Sequence, residues 1–188
     1  AGWDTRLYSL VRPAKPDMCM YEVDAVNTQM QKRRALETAK IDTTGVVFAA
    51  ADFNKESWLD ALVRVGFDPA KPTFILWEGV TYYLEAAAVE STLQTVAQQL
   101  AQGSLIAFDY PAKHIIGGEG SRFYRAAMAA AERIGEPWQF GIPTEAPARD
   151  KLEAFLAENG LRLTAYEVIG DLDKDPRAHG GLALAVNN

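Results

Sequence analysis

The sequence predicts an α/β fold built on a doubly wound, mainly parallel sheet. Four short apolar runs have the composition of buried parallel strands, and each ends in a carboxylate. These runs are residues 21–24, 49–52, 74–78 and 105–109. Segments of helical period separate each run from the next. This alternation is typical of parallel strands joined by right-handed crossovers.

The connecting segments carry apolar residues at helical spacing. They predict helices over residues 25–40, 55–65 and 85–102. In the third of them, Val89, Leu93, Val96 and Leu100 share one face. Each of these faces is expected to pack on the sheet.

The pattern changes after residue 109. A glycine-rich loop (111–120) precedes an alanine-rich helix (121–134), an irregular connection with three prolines (135–147) and a helix (149–159). Strands follow at 161–169 and 182–186. Because no long helix separates these two strands, we expect them to pair antiparallel near one edge of the sheet. We interpret residues 1–188 as a single domain, with 111–147 as a lid or insert.

Charge and composition narrow the function classes. The chain has 25 acidic and 19 basic residues, for a net charge of −6. This argues against nucleic acid or an anionic membrane as a partner, since both require a basic face. No stretch has the ~20 apolar residues that span a bilayer, and no signal peptide is visible. A cytoplasmic protein is expected.

Three smaller features carry structural expectations. Cys19, the only cysteine, lies between two methionines and is expected to be a buried core thiol. The basic run Lys32, Arg33 and Arg34 is expected to form a solvated helix face. The chain begins at Ala1 without an initiator methionine. We therefore expect that an N-terminal part of the protein was removed or lies outside this numbering.

The four carboxylates suggest a ligand. In an open α/β sheet the carboxyl ends of the strands share one edge, and ligands bind in the crevice beyond it. Acids there favour a ligand that presents hydroxyl and amino groups, such as a nucleoside-like molecule. Any single acid is equally compatible with a helix cap or a turn, so the signal lies in the ordered recurrence.

Local motifs strengthen this interpretation. The segment from Gly2 to Arg6 resembles the end of the "GAGxDTR" loop of S-adenosylmethionine-dependent methyltransferases of the leucine carboxyl methyltransferase type. Residues 21–24 resemble that family's "F/Y-E-V-D" segment, and 77–84 resemble its "WEGVxxYL" motif. The likeness continues through 108–110 and 135–142. It implies a Rossmann-like class I methyltransferase fold and S-adenosylmethionine as the cofactor. In that family a central strand and further glycines precede the position of Gly2, so the resemblance also implies that residues 1–188 alone lack the first strand and form no intact sheet.

The resemblance also implies roles for single residues. Gly2 would let the backbone approach the methionine part of the cofactor, and Asp24 would accept hydrogen bonds from both ribose hydroxyls. Asp52 and Phe53 would meet the adenine, the acid at its amino group and the ring on its face. Glu78, expected to be buried, would pair with the methionine ammonium.

The catalytic residues stay open, with Tyr83 and His114 as candidates. Tyr83 would shape the methyl-transfer cavity, although packing at a helix start explains Tyr82 and Tyr83 as well. The implied acceptor is a carboxylate or hydroxyl of a small molecule or peptide terminus. A carboxylate needs no general base, whereas a phenol or alcohol does. His114 would be that base; otherwise we expect a solvated loop histidine. No spacing typical of metal ligands is visible.

Two other function classes compete. A nicotinamide-dependent oxidoreductase also places an acid after the second strand of a dinucleotide fold. The third acid, Asp52, and the motif that begins at Glu78 argue against it. The second alternative is a non-catalytic remnant that acts as an interaction module, which the unusual N-terminus suggests.

Overall fold

The computed structural model describes residues 2–51, 56–170 and 177–188. The chain divides into two compact units, Ala1–Asp68 (unit 1) and Pro69–Asn188 (unit 2). Each unit has its own sheet. The interpretation of 1–188 as one domain with a lid stays a prediction.

Unit 1 contains a two-stranded parallel sheet. Strand β1 (Met20–Asp24) pairs with β2 (Val46–Ala50), so that Asp24 lies opposite Ala50. A π-helical turn and three helices accompany the sheet: Leu7–Val11, α1 (Arg12–Ala14), α2 (Val26–Thr38) and α3 (Trp58–Arg64). The turn and α1 were not predicted from the sequence.

Local chemistry explains how unit 1 holds together. The Ser57 side chain accepts a hydrogen bond from the Leu59 backbone N–H and thereby caps α3. One core cluster consists of apolar residues from the turn, both strands and α2, which are Tyr8, Met20, Leu36 and Val46. The two strands therefore share one small core with the N-terminal segment.

Unit 2 contains a four-stranded mixed sheet in the order β3-β4-β6-β5. The strands are β3 (Phe74–Trp77), β4 (Leu105–Pro111), β5 (Leu161–Ile169) and β6 (Gly180–Asn187). β3 and β4 are parallel, whereas β6 runs antiparallel to both β4 and β5. The predicted antiparallel pair at the sheet edge is therefore confirmed.

Among the described residues of unit 2, three α-helices accompany the sheet, namely α4 (Ala86–Gln99), α5 (Arg122–Arg133) and α6 (Ala148–Glu158), together with a 3₁₀-helical turn (Thr81–Tyr83) and a π-helical turn (Ile115–Glu119). The predicted face of α4 is buried, with Val89, Leu93 and Val96 all inaccessible to solvent. The Asn187 side-chain amide donates to carbonyl oxygens at the end of α4, among them Leu100 at 3.0 Å. This satisfies carbonyls that have no partner within the helix.

The α/β fold class is confirmed, and one local expectation, the burial of Cys19, is corrected. The strands of the described residues form two sheets, one of two strands and one of four. Cys19 is exposed, because it lies just before β1 rather than inside a core strand. Within the described ranges, no helix combines the length and the apolar character required to cross a bilayer.

Candidate functional site

The end of β1 brings Gly2 and Asp24 together. Asp24 is half-buried and its Oδ2 accepts a hydrogen bond from the Gly2 backbone N–H at 2.6 Å. Its Oδ1 accepts from the Ala25 N–H at 2.7 Å. Gly2 has φ +48°, and a Cβ there would meet open space. A glycine is therefore favoured here by its positive φ rather than by lack of space. Its backbone N–H contacts Asp24, the residue predicted to bind the ribose.

The turn after Gly2 is closed by Asp4 and Arg6. The Arg6 guanidinium donates to both carboxylate oxygens of Asp4 at 2.9 Å, and the Arg6 backbone N–H adds a third bond. These hydrogen bonds from Arg6 hold the pKa of Asp4 below its ordinary value, against the opposing effect of burial. The Asp-Thr-Arg part of the loop motif thus stabilises its own turn.

A buried ion pair lies in the same unit. Lys32 Nζ donates to Glu22 Oε1 at 2.7 Å, and the two side chains are 2% and 6% exposed. Lys32 Nζ also lies 5.5 Å from the ring centroid of Tyr8. Burial, and then the Glu22 carboxylate, raise the pKa of Tyr8. The prediction of a solvated basic face is wrong for Lys32, which the helical turn directs inward.

The end of β2 lies beside the end of β1. The Ala51 backbone N–H donates to the Asp24 carbonyl at 3.0 Å, and Ala51 is buried. Asp52 and Phe53, the predicted adenine ligands, lie outside the described residues. Their roles stay predictions.

In unit 2, Asp109 on β4 organises the loop that follows β3. Asp109 is only 7% exposed. Its Oδ1 accepts from the Gly79 N–H at 2.8 Å and its Oδ2 from the Tyr82 hydroxyl at 2.5 Å. Its carbonyl accepts from the Thr81 hydroxyl at 2.7 Å. One buried carboxylate therefore fixes the turn that carries the "WEGV" motif.

Tyr82 is held from several sides. Its ring stacks on Trp138 at a centroid distance of 5.2 Å, and its carbonyl accepts from the Gln139 N–H at 2.7 Å. Burial, followed by the hydrogen bond to Asp109, raises the pKa of Tyr82. The phenol therefore keeps its proton, and its hydrogen bond to Asp109, to higher pH than an ordinary tyrosine would.

Glu78 and Tyr83 border this cluster at the surface. Glu78 is exposed, which corrects the expectation of a buried acid. It continues the alternation of β3, in which Phe74 and Leu76 are also exposed. Tyr83 is 37% exposed, and its carbonyl accepts from the Gln139 side chain at 2.9 Å. Both side chains are accessible to solvent, as a ligand-contacting role requires.

A cavity of about 660 Å³ opens elsewhere in unit 2, with His114 in its wall. His114 is 7% exposed, so the expectation of a solvated loop histidine is wrong. The segment after β4 is a π-helical turn (Ile115–Glu119) rather than an open loop, which places His114 inside. Across the described part of the chain, no cluster of three or more His, Cys, Asp or Glu side chains has the arrangement to hold a metal ion.

The structure thus joins Gly2 with Asp24, and Gly79 with Asp109 and Tyr82. Sequence reasoning did not foresee that Asp109 and Tyr82 form a structural pair. The sequence held one indication that Asp109 is buried, because aromatic residues flank it on both sides. Asp24, in contrast, directly precedes a predicted helix.

Comparison with known proteins gives one family. The profile of the leucine carboxyl methyltransferase family matches residues 1–97. A Mycolicibacterium smegmatis protein, described provisionally as an S-adenosyl-L-methionine-dependent methyltransferase, is 34% identical over 187 residues. The match covers 98% of this chain and 58% of that relative. The chain therefore spans somewhat more than half the length of the relative.

Solved structures agree on the fold. A DUF574 family protein from Streptomyces avermitilis superposes with a TM-score of 0.66 at 14% identity, covering 97% of this chain and 70% of the other. An O-methyltransferase from neocarzinostatin biosynthesis, crystallised with S-adenosylmethionine and 2-hydroxy-5-methyl naphthoic acid, gives 0.56 at 12% identity, covering 97% and 45%. Together with the family profile and the sequence match, these results show that the chain belongs to the leucine carboxyl methyltransferase family of S-adenosylmethionine-dependent methyltransferases.

Proposed function

We propose that the protein containing this chain transfers a methyl group from S-adenosylmethionine to an oxygen atom of a small molecule or a peptide terminus. The observation that carries the proposal is the contact between the Gly2 N–H and the Asp24 carboxylate at the end of β1. Family membership supports the cofactor and argues against the nicotinamide-dependent alternative.

The residues present fit this cofactor. Asp24 lies at the end of β1, is half-buried, and accepts hydrogen bonds from the backbone N–H groups of Gly2 and Ala25. A carboxylate is the acceptor that a pair of ribose hydroxyls requires, and we assign the ribose to Asp24. Beside it, Gly2 leaves open space where a side chain would project. Asp52 and Phe53 complete the proposal as adenine ligands.

Glu78 would hold the methionine ammonium. Its carboxylate is exposed, so a ligand cation can approach it from solvent and form a charge-assisted hydrogen bond. Asp109 acts as a positioning residue, because its hydrogen bond to the Gly79 N–H holds the peptide that follows Glu78. Gly79 itself has φ +70°, a conformation that favours glycine.

The acceptor determines whether a base is needed. When bound, the cofactor supplies a methyl carbon on cationic sulfur; the acceptor oxygen bonds to that carbon and the sulfur keeps the electron pair of the broken bond. A carboxylate acceptor has no proton to lose at neutral pH. A hydroxyl acceptor does, and His114 is then the candidate base. Tyr83 would shape the space around the acceptor.

Calorimetry of S-adenosylmethionine binding to the intact protein tests the proposal. Asp24→Ala is expected to weaken binding by ~1.5–3 kcal/mol, the range for hydrogen bonds to a charged group. Asp17→Ala, which removes an exposed acid of unit 1, serves as the control and should not change the affinity.

Three results would contradict the proposal. If the folded Asp24→Ala variant binds S-adenosylmethionine with unchanged affinity, Asp24 does not bind the ribose. Stabilisation by a nicotinamide cofactor, with none by S-adenosylmethionine, supports the oxidoreductase. If the folded protein binds neither cofactor, the result supports the non-catalytic interaction module. A cytoplasmic location stays a prediction.

A further inference from the structure

The cavity of about 660 Å³ in unit 2 has the size of a small-molecule site. Its apolar surface includes the rings of Phe140 and Phe155, whose centroids lie 5.9 Å apart, together with Ile116 and Ile142. Gly141 lies in the same wall, where a Cβ would approach the Lys113 Cα at 3.0 Å. The wall is therefore tightly packed behind a surface suited to an aromatic ligand.

Some charged residues around the cavity have an ion-pair partner in the protein and others do not. Glu119 accepts from Arg177 at 2.8 Å and Glu145 from Lys151 at 2.9 Å, and Lys151 lowers the pKa of Glu145. Lys113 and Glu90 are also among the residues that line the cavity. Within the described residues, these two side chains have neither an ion pair nor a hydrogen bond. Lys113 and Glu90 therefore offer one positive and one negative charge to a ligand. His114 lies in the same cavity wall.

The cavity is connected to the loop that carries Glu78. Gln139 lines the cavity, and its side chain donates to the Tyr83 carbonyl at 2.9 Å. The Gln139 backbone N–H donates to the Tyr82 carbonyl at 2.7 Å. The cavity wall and the methyltransferase motif are therefore hydrogen-bonded to each other within unit 2.

We propose that this cavity binds the methyl acceptor and that the acceptor is an aromatic carboxylic acid with a hydroxyl or amino group. Lys113 pairs with its carboxylate, Glu90 accepts a hydrogen bond from its hydroxyl or amino group, and Phe140 and Phe155 contact its rings. This inference rests on the proposed function, because it names the substrate class of that reaction.

Binding of 4'-hydroxybiphenyl-4-carboxylate to the intact protein, measured by fluorescence without cofactor, tests the inference. Lys113→Met is expected to weaken binding about fivefold, the upper range for a solvent-accessible ion pair. The same variant should leave the affinity for the neutral 4'-hydroxybiphenyl-4-carboxamide unchanged. Arg122→Met removes a positive charge from an exposed position of α5 that does not line the cavity. It should have no effect on either probe.

Glu90 is tested with a second pair of probes. Glu90→Gln should weaken binding of 4'-hydroxybiphenyl-4-carboxylate and leave biphenyl-4-carboxylate, which lacks the hydroxyl, unchanged. Thermal unfolding of each variant verifies that it is folded, and Lys113→Gln replaces any Lys113→Met protein that is not.

Absence of probe binding would overturn the inference, as would equal losses in Lys113→Met and Arg122→Met. Parallel titration with S-adenosylmethionine separates the two proposals. If the cofactor binds and the probe does not, the acceptor site is wrong and the proposed function stands. If the probe binds with the expected pattern and the cofactor does not, the proposed function fails and the cavity remains a carboxylic-acid site.

Discussion

Asp24 and Asp109 occupy equivalent places in the sequence pattern, since each follows apolar residues of a parallel strand. Asp24 is half-buried and accepts two backbone N–H groups at the end of its strand. Asp109 is nearly inaccessible and binds both the Gly79 N–H and the Tyr82 hydroxyl. The first acid keeps part of its surface exposed to solvent, whereas the second is enclosed by the loop that it holds.

This difference shows that partners and burial, rather than position after a strand, decide what such an acid does. Glu22 extends the comparison to unit 1, because its carboxylate pairs with buried Lys32 and is also committed to structure. We therefore expect substitutions at Glu22 or Asp109 to reduce stability. Substitutions at Asp24 or Glu78 should instead reduce ligand affinity.

The largest effect is expected at Lys32. Lys32→Met leaves the buried Glu22 carboxylate without its cation, which should lower the free energy of unfolding by about 3–5 kcal/mol. Urea denaturation measures this loss. Arg34→Met, on the exposed side of the same helix, is the matched control and should lie within ~0.5 kcal/mol of the wild type.

The second variant removes the Asp109 carboxylate. Asp109→Ala leaves the Gly79 N–H and the Tyr82 hydroxyl without their acceptor, and should lower stability by about 1.5–3 kcal/mol. Urea denaturation again provides the measurement, with Asp24→Ala for comparison. Equal stability losses in the two variants would contradict the distinction between the two acids.

Glu78 should behave in the opposite way. Glu78→Gln keeps the shape and removes the charge, so S-adenosylmethionine affinity should fall about tenfold, equivalent to ~1.4 kcal/mol. Stability should change by less than ~0.5 kcal/mol, because the side chain is exposed. Calorimetry and thermal unfolding give the two values. If Glu78→Gln is strongly destabilised but its folded fraction binds S-adenosylmethionine normally, Glu78 stabilises the fold and does not bind the cofactor.

The smallest effect concerns alkaline pH. Burial and Asp109 raise the pKa of Tyr82 above its ordinary value of 10, so the unfolded chain releases this proton at lower pH than the folded one. The stabilisation is complete below pH 10 and declines as pH rises above it. Urea midpoints between pH 8 and 11 should therefore fall less steeply in Tyr82→Phe. Identical pH slopes in variant and wild type would contradict the assignment.

The strands and helices were largely predictable because they depend on local periodicity. The predicted strand 161–169 coincides with β5, and α4 and α5 end within a few residues of their predicted bounds. The resemblance of the loop and strand motifs also identified the family, since those motifs are contiguous in the sequence. The same motifs named Gly2 and Asp24 as candidate site residues, whereas the hydrogen bond between them was not predicted.

Tertiary structure alone decided which polar side chains are buried and with whom. Lys32 lies in a run of three basic residues, yet only Lys32 faces the core, where Glu22 compensates its charge. Asp109 finds Tyr82 across 27 positions of the chain, and Gln139 reaches Tyr83 across 56. A residue's own sequence neighbourhood determines its secondary structure, whereas its burial and its hydrogen-bond partners depend on segments that only the folded chain brings into contact.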